Sequence, residues 1–582
     1  MGTISDKLMR IINTKEDIRQ ALISKGYDVP TSIPFKEYAK MISDLPCRVD
    51  SFPDIEGIVA RYSALGLTNE QMAANPVWVD KTGNGHDLQM KNFAWKEGSG
   101  ISDIYPGALV FDGVDDWAGC DNLPLLPKEK GYSIIALRNW ITRYDATQYK
   151  RPLISNLDTN DEGAFLIEYR KDENVNDVTG SYNSFTDVYI DDNNPITWQT
   201  SSSYNGQIIK KGTSKSTNKL CICKTYFGQL SNYANAAIWE IVILDHDATE
   251  EELTKIKDYF VKTYPWLFPD QAWTVVGKTN EDEDRATIAN ITGNGNDLVL
   301  SNFGFAEGSG YGLYAENYSN SRWFINNSIT ATKKSDTFNV TSINQVAVQI
   351  QYIAEPSQSP YTVPSYTIKV TGLTDGQTVN YRVSGGISYP ITQDGIYILP
   401  GFDFAGMGSW YGFQFNKVQE TCDITIEQIP EYEGYLVTDG VDDEVRSAAF
   451  TLNEDWTIVG DWELLSNVQI NCGIVKAQNV YLYNTANGLL ISINNPRSLQ
   501  SFGTKSLHAI CSDGRLYDRN WVEYEYTVDQ NFAIVESSLN IGFNLNNYTQ
   551  IAFKNLGIYN NQILSKDDCI KAYNYLQTLK AK

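Results

Sequence analysis

Short runs of alternating apolar and polar residues recur along most of the chain. Segments such as SIIALRNW, AFLIEYR, LCICKTYF, YTIKVTGL and VNYRVSGG are rich in β-branched and aromatic residues and bounded by Gly, Asn, Asp and Ser. That pattern predicts short antiparallel strands, and many of them at such spacing predict sandwiches. The period changes to a helical one twice. Leu253, Ile256 and Phe260 form one apolar stripe, and Cys569, Ala572 and Leu576 form another. Each stripe follows an alternating strand and a capping pair, Thr249 with Glu252 and Ser565 with Asp568.

These two closing elements belong to an internal repeat. TGNGHDLQMKNFAWKEGSG (82–100) matches TGNGNDLVLSNFGFAEGSG (292–310) without a gap, at an offset of 210. ALVFDGVDDWA (108–118) matches YLVTDGVDDEV (435–445), where the offset has grown to 327, so 117 residues have entered between Gly310 and Tyr435. YSIIALRNW (132–140) then matches WTIVGDWEL (456–464), and the strand-turn-helix of 237–260 matches 552–576. The inserted stretch has strands of its own, joined by turns at Thr374-Asp375-Gly376 and Gln393-Asp394-Gly395. The predicted organisation is a helical segment at 1–50, one sandwich at 51–268, a second split between 269–317 and 434–582, and a small β-sandwich inserted at 318–433.

The N-terminal fifty residues read differently. Ile4, Leu8, Ile11, Ile18 and Leu22 have helical spacing until Gly26, and Phe35, Tyr38 and Ile42 mark another short helix. Such short helices bury too little to be stable alone, so these residues are candidates for docking on a partner or on further copies of the chain.

Charge narrows the partners. The chain carries 71 Asp and Glu against 47 Lys and Arg, a net charge of −24, which disfavours nucleic acid and anionic membrane. No run of about 18 apolar residues predicts membrane insertion, and the start lacks the continuous apolar core of a signal peptide. Cysteines are scattered, with Cys221 and Cys223 placed for packing.

WVDKTGNGHDL (78–88), ALVFDGVDDWA (108–118) and IVILDHDATEEELTKIKDYF (241–260) resemble the bacterial and phage laminin-G-like branch of the concanavalin A-like lectin/glucanase superfamily. The resemblance covers 51–268 and, less closely, the split copy, where Thr438 replaces Phe111 and Glu444 replaces Trp117. It implies an all-β fold of two concanavalin A-like jelly-roll sandwiches, the second interrupted by the small inserted sandwich, with the short α-helical segment at the N-terminus. NTKEDIRQALISKGYDVPTSIPFKEYAKMI, from Asn13, resembles the leader of fibre, appendage and tail proteins of tailed phages, especially crAss-like and other phages of gut Bacteroidales. This implies a virion structural protein, a head or tail fibre subunit made in host cytoplasm. It would be homo-oligomeric, joined to other virion proteins by its N-terminus and exposed on the particle for host attachment. Two alternatives stay open: a purely structural decoration or adaptor without glycan binding, and a secreted bacterial glycan-binding protein.

The chemistry-bearing residues point to binding. The glucanases of the superfamily carry paired glutamates alternating with an Asp on one strand, and no segment here has that arrangement, so no enzyme activity is expected. The three histidines, His86, His246 and His508, read as structural. Asp112, Asp115 and Asp116, with Asp439, Asp442 and Asp443, fit either a tight turn or a Ca2+ site. Aromatics in loop-like stretches, Tyr182, Trp198, Tyr204 and Trp410, are candidates for binding host surface polysaccharide.

Overall fold

The computed structural model describes Lys15, Arg19 and residues 52–126, 132–142, 150–158, 166–170, 196–197, 217–228, 232–306, 308–354, 361–374, 376–404, 409–465, 472–477, 480–485, 488–493, 500–502, 507–525, 536–541, 543–544, 547–548 and 550–581. Within them the chain is predominantly β, arranged as three pairs of facing antiparallel sheets with two small two-stranded sheets beside them. Lys15 and Arg19 are helical, and the helices whose bounds lie among the described residues are Asn69–Ala74 (α1), Glu250–Thr263 (α2) and Lys566–Thr578 (α3), with a 3-10 turn at Pro265–Leu267. None is long and apolar enough to cross a membrane.

The two repeats are built on the same strand pairings. In the first, the long strand Asn235–Leu244 pairs along one edge with Ser133–Thr142 and shares its other edge between Leu109–Asp112 and Ile58–Ser63. In the second, Ile551–Asn560 pairs with Trp456–Leu464 and shares its other edge between Glu431–Val437 and Gln271–Thr274. A facing sheet begins Val77–Trp78, Leu88–Lys91, Trp117–Cys120 in one and Thr287–Ile288, Leu298–Ser301, Glu444–Thr451 in the other. Tyr62, Trp78, Leu88 and Phe111 fill the first interior, and Trp273, Leu298, Trp456 and Phe553 the second.

Each closing helix covers the outer face of its long-strand sheet. Ile256, Tyr259 and Phe260 of α2 are buried, with Leu253 half-buried at the margin. On α3, Cys569, Ala572, Tyr575 and Leu576 are buried. The α2 capping box is complete, since Thr249 accepts from the Glu252 backbone and Glu252 accepts from the Thr249 backbone. In α3 only half of it forms: Ser565 Oγ accepts from the Asp568 N–H but donates its proton to the Asp568 carboxylate at 2.8 Å.

The two helix-covered faces meet in one shared apolar core. Trp239 packs edge-on against Tyr575 at 6.4 Å, and Lys571 Nζ sits 4.4 Å from the Trp266 ring centroid. Tyr559 donates its hydroxyl to the Trp266 carbonyl at 2.9 Å.

The guest between Leu313 and Glu431, which pair with each other, packs its sheets over a separate core rich in aromatics. One sheet runs Trp323–Ile325, Val348–Ile353, Trp410–Phe415, Val379–Val383, Ile387–Ile391. The other ends on the edge strand Gly395–Leu399. Asp394, in the turn before that strand, accepts from the Gly372 and Leu373 backbones.

Candidate functional site

The repeated DGVDD segments form nearly superposable turns. Asp112 Oδ1 accepts from the N–H groups of Val114 (2.8 Å) and Asp115 (3.2 Å), as Asp439 Oδ1 does from Val441 (2.7 Å) and Asp442 (3.3 Å). Gly113 and Gly440 sit at φ +77° and +75°, left-handed backbone that side chains resist. Asp116 Oδ2 accepts from the Asp112 N–H at 3.1 Å, and Asp443 Oδ2 from the Asp439 N–H at 2.7 Å. Asn92 and Asn302, both at φ +68°, donate their amides to the Asp115 and Asp442 carbonyls.

The turn leaves one atom of each segment without a use. Asp116 Oδ1 and Asp443 Oδ1 are buried and take no hydrogen bond, although the Ser99 and Ser309 hydroxyls lie close by. Burial, helped by the neighbouring carboxylates, pushes Asp116 up to about 6 and Asp443 up to about 7. The three carboxylates of each segment bring one oxygen apiece within 4.8 Å of one another. That donor set suits a hard divalent cation, with backbone and water oxygens completing six to eight ligands. Since Asp112 Oδ1 is committed to the turn, a cation would draw on the remaining carboxylate oxygens of Asp112, Asp115 and Asp116, or of Asp439, Asp442 and Asp443. A proton on Asp116 or Asp443 satisfies the same chemistry.

Of the four aromatics selected from the sequence, Trp410 is described and lies half-buried on the outer face of the guest sheet, its ring centroid 6.0 Å from the Arg382 guanidinium. Tyr182, Trp198 and Tyr204 lie outside the described residues, as do Ile4, Leu8, Ile11, Ile18, Leu22, Phe35, Tyr38 and Ile42.

The three histidines sit in different settings, and His86 Nδ1 and His508 Nδ1 are buried without a hydrogen-bond partner among the described residues. His246 lies in the turn before α2 between Asp245 (3.1 Å) and Glu252 (3.2 Å); burial pulls its pKa down, but these two acids outweigh burial and the net direction is up. His86 gives its backbone carbonyl to the Tyr62 hydroxyl at 2.6 Å, as Asn296 does to the Trp273 indole. His508, stacked on Tyr573 at 4.1 Å, is held below its ordinary pKa by burial. Cys221 and Cys223 are buried free thiols, with Cys223 in left-handed backbone at φ +58° just beyond the strand. The sequence missed a buried ion pair under α2: Arg61 Nε donates to Glu240 at 2.6 Å, and Arg61 Nη2 to the Tyr259 hydroxyl at 2.7 Å. Its partners stand 179 residues apart, a separation that carries no sequence signal.

No family model and no curated protein matches the chain. Among solved structures it is similar to the N-terminal CBM22-1-CBM22-2 tandem domain of Paenibacillus barcinonensis Xyn10C, at 7% identity over 42% of this chain and 95% of that one, with a TM-score of 0.12. It is also similar to a Paenibacillus xanthan lyase, at 9% identity over 58% of this chain and 42% of that one, again with a TM-score of 0.12. At that TM-score neither likeness bears on fold or function.

Proposed function

We propose that the chain is a phage virion structural protein, a subunit of a head or tail appendage, whose N-terminal segment docks on the particle while its sandwiches are displayed outward to bind host surface glycans. In this reading residues 1–50 are the docking segment and 51–268 and 269–317 with 434–582 are concanavalin A-like jelly rolls. Residues 318–433 are then the guest. The observation that carries it is the joined tandem. Two sandwiches share one apolar core, and a third is joined to the second through paired strands and carries partly exposed aromatic side chains on its outer face.

The test is direct. Antibody against the full chain should label purified particles, and excess full-length protein should block their adsorption to host cells. Removing residues 1–45 should abolish incorporation while leaving the melting transition unchanged. Absence of the chain from purified particles sinks the reading.

One observation favours a structural adaptor instead. Ile396 and Ile398, 65% and 76% exposed, stand on the guest's edge strand, where a protein neighbour would cover them. Particles carrying Ile396→Ser and Ile398→Ser that assemble poorly but adsorb normally would favour that role.

A further inference from the structure

We propose that the outer face of the guest sheet containing Trp410 is a binding cleft for a neutral polysaccharide chain, with Phe324 and Trp410 as stacking platforms and Gln349, Gln351 and Asn380 as hydroxyl-reading amides. It rests on the glycan-binding part of the reading above and adds the site and the ligand class.

Register places these side chains together. Phe324 lies opposite Gln351, Gln351 opposite Gly412, and Gly412 opposite Arg382, so one row crosses four strands. A second row runs Gln349, Gln414, Asn380, and beside them Trp410 lies opposite Ile353. Along each strand the intervening residues, Trp323, Ile350, Tyr352, Tyr411, Phe413 and Tyr381, point into the guest core, which fixes the others outward. Five strands at about 4.8 Å spacing make a face about 19 Å across, the reach of an oligosaccharide.

Three features define what fits. First, the strands Trp323–Ile325, Val348–Ile353, Val379–Val383, Ile387–Ile391 and Trp410–Phe415 contain no Asp or Glu, in a chain of net charge −24. Their one cation, Arg382, is engaged, donating from Nη1 to Gln414 Oε1 at 3.1 Å while Gln414 Nε2 donates to the Ala347 carbonyl at 3.1 Å. These strands therefore carry a single positive charge, held against Gln414, and offer no pair of cations to grip a carboxylated or phosphorylated polymer. Second, the side-chain amides of Gln349, Gln351 and Asn380 take no hydrogen bond among the described residues. An amide presents donors and an acceptor side by side, matching the alternating donor and acceptor character of adjacent sugar hydroxyls. Third, Phe324 is 50% exposed and Trp410 half-buried, and between them lies a hollow of about 450 Å3 lined also by Asn326, Gln349 and Gln351. Partly exposed rings beside free amides suit the apolar C–H face and polar rim of a pyranose.

Gly412 keeps the floor open. Its φ is +153°, and a Cβ there would meet the Ile350 carbonyl oxygen at 2.1 Å, so backbone crosses closely at this point and no side chain stands between Gln351 and Arg382.

Native electrophoresis of the full chain through gels carrying barley β-glucan, xylan, galactomannan or dextran, with polygalacturonate as the acidic control, tests the cleft. At least one neutral polymer should retard the protein and polygalacturonate should not. Trp410→Ala and Phe324→Ala should each weaken that binding by about tenfold, and Gln351→Ala by several-fold. Trp410→Phe and Phe324→Tyr should retain most of it, separating loss of the ring from loss of the fold. Retardation by no neutral polymer, by polygalacturonate alone, or equally by Trp410→Ala overturns the proposal. If the chain labels particles and blocks adsorption while no neutral polymer binds, the cleft fails and the appendage reading stands. If the cleft binds but the chain is absent from particles, the cleft stands and the appendage reading fails.

Discussion

The two repeats keep the same turns but have exchanged the chemistry beneath their helices. Around TGNG and DGVDD, most backbone angles and side-chain hydrogen bonds recur: Ala94 and Gly304 N–H donate to Ser99 and Ser309 Oγ at 2.8 and 2.9 Å, and Ile101 and Tyr311 N–H donate to Asn69 and Asn280, both at 2.7 Å. On the helix-covered face the register pairs Arg61 with Val242 and Ala272 with Gly557, so Ala272 stands where the first repeat has Arg61. Asn555 correspondingly stands for Glu240, each lying across from the same place on the neighbouring strand. The turns are constrained by backbone conformation, which few residues meet. The ion pair is constrained by side-chain partners and not by backbone conformation, so both charges can leave together.

The largest effect should follow from removing half of that pair. Glu240 is fully buried, bound to Arg61 and to the Tyr264 hydroxyl at 2.7 Å. Glu240→Ala strands a buried guanidinium, and denaturant unfolding should show a loss of about 3–5 kcal/mol. Arg61→Ala with Glu240→Asn, which copies the second repeat, should recover most of it. If the double variant is as unstable as Glu240→Ala, the exchange needs further compensation elsewhere. In the second repeat, Asn555 is buried with neither side-chain polar atom bonded. Asn555→Leu should therefore cost less than about 1 kcal/mol.

Next in size are the turn glycines. A Cβ at Gly113 would meet Asn235 Cβ at 2.8 Å, and one at Gly440 would meet the Gln550 N at 2.8 Å. Gly113→Ala and Gly440→Ala should each cost about 1–3 kcal/mol, by a similar amount in both repeats, because strain and close backbone approach are shared. A large inequality between the two, read by thermal unfolding, would separate the turns that the geometry joins.

What the sequence made legible was local. The duplicated turns, the strand alternation and the capping pairs are written in residues a few positions apart, and their hydrogen bonds follow from that spacing. The Arg61–Glu240 pair, the shared core around Trp239 and Tyr575 and the row from Phe324 to Arg382 are assembled by strand register across tens to hundreds of residues. Trp410 stood out as an aromatic in the loop-like stretch GMGSWYGF, but the residues it is placed beside did not. A usable signal was present in VQIQYI and WYGFQF, where Gln and aromatic residues alternate with core positions and no acid intervenes.

A shift of a few degrees in Tm decides what the DGVDD segments hold. Asp116 and Asp443 keep a proton up to about pH 6 and about pH 7 in the folded chain, against an ordinary value of 3.8. Folding therefore takes up protons above about pH 4, and the stability tied to these groups is intact below that pH and lost as pH rises through 6 to 7. His508, lowered by burial, acts in the opposite sense, so the effect is read as a difference between wild type and variant. Asp443→Asn should match wild type near pH 4 and melt a few degrees higher at pH 8, since an amide is neutral throughout and still accepts the Asp439 N–H. Calcium separates the two occupants. If the carboxylates hold the cation, millimolar Ca2+ at pH 8 should raise the Tm of wild type above that of Asp443→Asn, because a ligand bound only by the folded state stabilises it by mass action. If Ca2+ moves neither protein, the buried oxygen is satisfied by a proton, and the segment is a turn that becomes less stable as that proton is lost.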